Sequence, residues 1–262
     1  MVRPPAKILL DQKDLDRARS EILEAYILFR LGLSSVLRWI VKRMLNKFRD
    51  PISGLTHLAA AVGAVCGVVI LLFIGHDDAT KAISLAIYGL SLVLMFAASA
   101  TYHLVKASPR VNKVLRKVDH SAIYLLIAGS YTPICLHFFQ GFWQWWFVGI
   151  IWGMALIGVA IKVFIINAPR WLTAGIYLLM GWLALLAIPE MVVAVPVSAL
   201  IWLVLGGLFF TLGAVVYISK KPDFYPKVFG FHEVWHIFVI IGCACHFIVI
   251  ATFIAPSSIA AL

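Results

Sequence analysis

Seven apolar stretches, each long enough to cross a bilayer, constrain this chain more than any other feature. They fall at about 53–75, 82–105, 119–138, 143–166, 171–190, 196–218 and 232–254. A helix rises 1.5 Å per residue, so about 20 apolar residues span the hydrocarbon core. A segment in lipid must satisfy its own backbone hydrogen bonds, and runs of this length do so as helices. Composition agrees: 63% of residues are hydrophobic, 13% are charged, and mean hydropathy is +0.98. The expected fold is an all-α integral membrane protein, a seven-transmembrane helix bundle over residues 51–262.

Charge sets the expected orientation. Of 22 basic residues, 11 precede the first span. Ten more lie after the second, fourth and sixth spans: Lys106, Arg110, Lys113, Arg116 and Lys117, then Lys162 and Arg170, then Lys220, Lys221 and Lys227. The opposite loops carry Lys81 alone, beside Asp77, Asp78 and Glu190. The positive-inside rule then puts the N-terminus in the cytoplasm and the C-terminus outside. The net charge of +10 reports this topology, so no nucleic-acid partner is expected.

Residues 1–50 are a different material, a basic N-terminal segment. Ile22, Leu23, Tyr26, Ile27, Leu31, Val36, Leu37, Ile40 and Val41 recur at helical spacing and lead into Lys42, Arg43, Lys47 and Arg49. The pattern predicts an amphipathic helix on the cytoplasmic leaflet with anionic lipid headgroups as partners. A helix packed on the bundle or on another protein satisfies the same pattern. A cleavable signal peptide is not expected, since the charged region is too long for one. Cys66, Cys135, Cys243 and Cys245 all fall inside spans and read as small apolar packers.

The chemistry lies in the histidines. His232 and His236 are four residues apart, one above the other on a helix, the way a helix offers two ligands to one ion. His103 stands four residues after Ser99, Asp119 opens the third span, and Ser53 and His57 form another four-residue pair. Four helices thus bring polar groups to one depth near the inner interface, where ionisable side chains are costly. His103, His232 and His236 supply three neutral nitrogens, enough for Zn2+ with an open position. Asp119 would stand behind the ligands or serve as general base for the water, and Ser99 would orient that water or bond a substrate carbonyl. His57, Ser53 and Glu233 would stand behind the ligands. The plainer alternative is a set of polar side chains that satisfy one another between helices.

His-Glu-x-x-His also matches the zinc-protease motif. Such proteases take a third ligand from downstream, and this chain has no acid after Glu233. His246 lies ten residues beyond His236, about 15 Å deeper, and a buried hydrogen bond is its expected use. Glu233 is expected toward the interface or a lysine, and His76, His120 and His137 at the periphery. Cys243 and Cys245 point apart on a helix and cannot share an ion. Gly129 and Ser130, with a kink near Pro133, would either open the third span to an acyl chain or simply pack.

Three motifs carry a family resemblance: Ser99-Ala-Thr-Tyr-His103, the run from Asp119-His-Ser-Ala-Ile-Tyr to Gly-Ser-Tyr-Thr-Pro133, and His232-Glu-Val-Trp-His236 with Gly242 and His246-Phe247. With Gly54-Leu-Thr-His57, they resemble the hemolysin III family, the bacterial branch of the progestin and adiponectin receptor group. The resemblance covers about residues 50–254 and implies seven helices with a cytoplasmic N-terminus, in the bacterial inner (plasma) membrane. Adiponectin receptors hold zinc with one histidine from the second helix and two from the seventh, and His103, His232 and His236 match that pattern. Asp119 and Ser99 correspond to the aspartate and serine of those motifs. The group is similar to alkaline ceramidases, which hydrolyse a lipid amide. Glu233 departs from the receptors.

The expected function is therefore zinc-dependent hydrolysis of lipid amides or esters, with a membrane lipid as substrate, in membrane lipid homeostasis. Two alternatives stand beside it. One is a membrane-perturbing or pore-forming cytolysin, as the family name suggests, although no helix carries a continuous polar stripe. The other is a membrane-homeostasis sensor in which zinc is structural.

Overall fold

The structure, a computed structural model, describes residues 47–224 and 229–257. The expectation for the N-terminal segment lies outside the described residues, apart from 47–50. Seven helices are long and apolar enough to cross a membrane: α1 Pro51–Ile74, α2 Ala79–Leu104, α3 Pro109–Phe138, α4 Gly141–Phe164, α5 Arg170–Ala194, α6 Val197–Ser219 and α7 Phe231–Ile254. The chain is thus a multi-pass integral membrane protein, and the odd-numbered helices begin on the face that carries the basic residues.

Local chemistry sets several helix ends. Asp78 caps α2 by accepting from the Lys81 amide at 2.7 Å. Ser108 caps α3, and Pro109 follows in the first turn, where its missing N–H costs nothing. At the opposite face, α3 and α4 join through Phe139 and Gln140 to Gly141, whose φ of +57° is open to glycine without strain. Lys220 closes α6 in the left-handed conformation.

Two spans differ from the hydropathy reading. α3 starts ten residues earlier than expected, so Arg110, Lys113, Arg116 and Lys117 sit on a helical extension and not in a loop. Hydropathy misses this stretch because charge, not backbone conformation, changes there. Asp119 accordingly lies in the third turn of α3 instead of opening it. α5 is not one continuous helix either: α-helix over Arg170–Gly181 gives way to a 3-10 turn over Trp182–Ala187, then to α-helix over Ile188–Ala194. The Tyr131 hydroxyl stabilises the break, donating toward the carbonyls of Met180 (3.1 Å) and Gly181 (2.8 Å) and accepting from the Ala184 amide at 3.0 Å. Trp182 Nε1 donates to Thr211 Oγ1 at 3.0 Å, which fastens the same turn to α6.

The helices close a ring in which α1 packs on α2, α2 on α3, α3 on α5, α5 on α6, α6 on α7 and α7 back on α1. α4 packs chiefly on α3. Small residues permit the close approaches: a Cβ at Gly158 would run into the Tyr124 ring, and one at Gly129 into the Ser91 hydroxyl. Gly129 is therefore a packing residue between α2 and α3, and α3 continues as helix through Pro133. Phe73, Phe164 and Val193 are 78%, 84% and 87% exposed, an apolar outer surface suited to lipid.

Candidate metal centre and cavity

The centre is built where α1 begins and α2 ends. The Asp50 amide donates to the His103 carbonyl at 2.8 Å, which stitches the two helix ends together. That brings the Asp50 carboxylate to His103, with Oδ2 3.0 Å from Nδ1. Arg49 Nε donates to the same oxygen at 2.9 Å, and its guanidinium lies 3.9 Å from the Tyr102 ring centroid. The hydrogen bond from His103, helped by Arg49, outweighs partial burial and holds the Asp50 carboxyl down to about 2. An ionised acceptor at Nδ1 assigns the proton to that nitrogen, so the Nε2 lone pair of His103 is free to bind.

His232 and His236 approach from the first two turns of α7. His232 Nε2 lies 3.3 Å from His103 Nε2, and the three ligand atoms all fall within 4.8 Å of one another. Two nitrogens bound at about 2.0–2.1 Å to a tetrahedral ion stand about 3.3 Å apart, so this pair already has ligand spacing. His103 and His236 are buried, and His236 Nδ1 has no hydrogen-bond partner. A group of three imidazoles can hold a metal ion here, and neutral nitrogen donors suit zinc.

The neighbours anticipated behind the ligands fall into two kinds. His57 stacks on His236 with ring centroids 3.8 Å apart and meets Phe96 edge-on; neither of its nitrogens is partnered. The side chains of Ser53 and Glu233 bond to each other instead. Ser53 Oγ donates to Glu233 Oε1 at 2.7 Å, while Glu233 Oε2 accepts from the Gly230 amide at 2.8 Å and caps α7. Glu233, partly exposed in the first turn of α7, thus docks that helix onto α1, and its partner is Ser53 rather than a lysine.

Asp119 stands outside the three-nitrogen group, close enough to Ser99 and His103 for its carboxylate to interact with both. Both Asp119 and Ser99 line a cavity of about 370 Å³, together with His57, His232 and His236. That volume falls in the range of roughly 300–1,000 Å³ typical of small-molecule sites. Away from the histidines the cavity runs between α3, α5, α6 and α7 along apolar walls such as Ile127, Ile134, Leu185, Met191 and Leu203.

His246 makes the hydrogen bond expected of it, half-buried, with Nε2 3.3 Å from the Leu203 carbonyl and its ring seated against Gly206. His76 is peripheral and contacts the Phe73 carbonyl at 2.7 Å. His120 is not peripheral, since it lines the cavity. His137 is away from the centre, buried, and meets Ser257 Oγ at 3.1 Å beside Lys81. Lys81 lies on α2, buried, and bonds Asp77 (2.6 Å) and the Ser257 carbonyl (2.5 Å). The four cysteines are free.

Asp50 is the residue sequence reasoning missed. It read as the end of the polar leader, yet it is the only acid between Glu24 and Asp77 and directly precedes Pro51. A lone acid at the mouth of a span whose neighbour ends in histidine is the signal that pointed to it.

Comparison with known proteins agrees with this architecture. Residues 45–247 match the family described as haemolysin-III related. The chain is 31% identical to "Hemolysin-3" of Bacillus cereus over 219 residues, covering 82% of this chain and 97% of that one. It is also 31% identical to the "Hemolysin-3 homolog" of Bacillus subtilis (strain 168) over 200 residues, 74% of this chain and 89% of that one. A human relative, "Monocyte to macrophage differentiation factor", is 30% identical over 201 residues, 73% of this chain and 79% of that one. With matching motifs, seven spans and a family match over most of its length, the chain belongs to the haemolysin III family.

Proposed function

We propose that this protein hydrolyses the amide or ester bond of a membrane lipid, using zinc held by His103, His232 and His236. Its membrane is the bacterial plasma membrane, with the basic face and the N-terminus in the cytoplasm. The observation that carries the reading is the group of three close imidazole nitrogens, of which those of His232 and His236 line an apolar cavity together with Asp119 and Ser99. Zinc, when bound, supplies Lewis acidity toward water and a carbonyl oxygen.

The protein's own residues do the rest. The apolar walls take the acyl chain, so the scissile carbonyl comes to rest near Ser99 and Asp119. Asp119 accepts a proton from water as its oxygen bonds to the acyl carbon. The C–N or C–O bond then breaks, and Asp119 returns that proton to the departing amine or alkoxide. Ser99 holds the Asp119 carboxylate in place. Asp50 fixes the tautomer of His103, and His57 keeps the His236 ring from turning.

The name of the Bacillus cereus relative points instead to lysis of cells. Against a pore in this chain stands the gathering of the cavity's aspartate and histidines, His246 apart, at one end. Elemental analysis of detergent-purified protein tests the reading. Near one zinc per chain, lost in His103→Ala and His236→Ala, is expected, along with fatty-acid release from lipid amides or esters. Well-folded wild-type protein that takes up no zinc would overturn it.

A further inference from the structure

One cation of the basic face is buried, and among the described residues no carboxylate pairs with it. Lys162, near the end of α4, is only 2% exposed, and its Nζ donates to Thr173 Oγ1 at 2.7 Å. That hydroxyl is its one polar partner among the described residues, so two of the three ammonium N–H groups are unused. The described acids of this face are engaged elsewhere. Asp50 holds His103 and Arg49, Glu233 holds Ser53 and the α7 cap, Asp119 interacts with Ser99 and His103 and acts at longer range on Arg116, and Asp223 sits beside Gly230. A buried ammonium without a carboxylate is costly, and a ligand anion removes that cost.

Lys162 stands one hydrogen bond behind the cavity wall, through Thr173. Thr173 and His120 both line the cavity wall, and His120 Nδ1 is buried without a partner. Arg116 lies close enough to act electrostatically on both Lys162 and His120. Thr173 sits in the first turn of α5, where no side chain caps the free amides and the helix dipole is positive. Other nearby cations are occupied: Lys117 Nζ donates to the Val163 carbonyl at 2.5 Å, and Arg170 lies over Tyr217 and Phe231.

We propose that Lys162 and Thr173, flanked by Arg116 and His120, receive the phosphate of a lipid whose acyl chain fills the cavity. The inference rests on the lipid reading above and deepens it: the substrate class becomes phosphate-bearing lipids rather than neutral amides or esters. Phosphate offers several acceptor oxygens to the free ammonium protons and the hydroxyl, as a neutral headgroup does not.

Binding, not turnover, tests this. Purified wild-type protein is titrated with oleoyl lysophosphatidylglycerol, with monooleoylglycerol and with inorganic phosphate, and zinc content is measured alongside. The anionic lipid is expected to bind roughly 10- to 100-fold tighter than the neutral one, a gap that charge-assisted hydrogen bonds supply. Lys162→Met should erase the gap, leave monooleoylglycerol binding unchanged and retain the zinc content of the wild type. Thr173→Val should narrow the gap, and Lys162→Arg should restore most of it, which keeps the test decisive if Lys162→Met folds poorly. Inorganic phosphate that competes with the anionic lipid but not the neutral one supports the same receptor. Phosphate binding at Lys162 with no added affinity from the acyl chain would assign the site to free phosphate and overturn the lipid proposal. So would an unchanged gap in Lys162→Met. A protein that shows the gap yet lacks zinc or turnover separates failure of the hydrolase reading from failure of this one.

Discussion

Replacing Asp50 by Asn tests how far the centre depends on a residue that binds no metal itself. The substitution keeps the shape and a carbonyl acceptor for His103 Nδ1, 3.0 Å away in the wild type, but removes the charge. The Asp50 carboxyl is lowered from 3.8 to about 2, chiefly by the His103 hydrogen bond. At about 1.36 kcal/mol per pH unit, that shift is worth at most roughly 2.4 kcal/mol. The side chain is 44% exposed, so solvent screening leaves about 1 kcal/mol. A carboxylate behind a ligating histidine typically contributes about 10- to 100-fold in metal affinity, and the partial exposure places Asp50→Asn near tenfold. Competition with a fluorescent chelator in detergent measures it. The sign with pH follows from the lowered value: the contribution to stability is present above about pH 4 and lost as pH falls toward 2. Metal-free wild type and variant should therefore converge in acid. Equal zinc affinity in two equally folded proteins at neutral pH would refute the argument.

Asp119→Asn should lower lipid hydrolysis by roughly 10²–10⁴-fold while zinc stoichiometry stays at the wild-type level; loss of both in step would make Asp119 structural. Tyr131→Phe leaves the Met180 and Gly181 carbonyls and the Ala184 amide without their shared partner, and should cost about 1–3 kcal/mol, read as a lower Tm in detergent. Glu233→Gln keeps an acceptor for the Gly230 amide through its oxygen and can donate from its NH2 to the Ser53 hydroxyl, so hydrolysis should fall by no more than about threefold; a protease-type general base at this position predicts at least about a hundredfold loss.

Much of the fold is legible in the sequence because hydrocarbon tolerates few alternatives, but only where hydropathy carries the message. The first ten residues of α3 are helical and charged, so a hydropathy reading places them in a loop although Ser108 and Pro109 announce a helix start. The break in α5 is hidden for the opposite reason. Trp182-Leu-Ala-Leu-Leu-Ala187 reads as ordinary spanning helix, and its 3-10 geometry is supported by Tyr131 and Thr211, which are distant in sequence. At the site, helical spacing brings His232 to His236, and common depth places His103 beside them. Asp50, Lys81 and Lys162 escaped notice because each looks like an interfacial charge. Burial and partner choice, which only tertiary packing decides, give them their character.

Glu233 shows why a motif and its geometry must be argued separately. His-Glu-x-x-His puts two imidazoles on one face wherever a helix forms, so the pair is ready for an ion whatever the glutamate does. Here the glutamate occupies the third position of α7, where its carboxylate reaches back to the Gly230 amide and sideways to Ser53 on α1. Both of its oxygens are therefore spent on placing the helix that carries the histidines. The acid that faces the cavity comes instead from α3, as Asp119, and the acid that orients a ligand comes from the foot of α1, as Asp50. In a soluble metalloprotease one short helix can combine ligation and proton transfer. On the reading proposed above, three carboxylates of this bundle divide the supporting roles: Asp50 orients His103, Glu233 docks α7 and Asp119 moves the proton. This division lets the polar groups meet at one end of the cavity and leaves the rest of it apolar for a lipid chain.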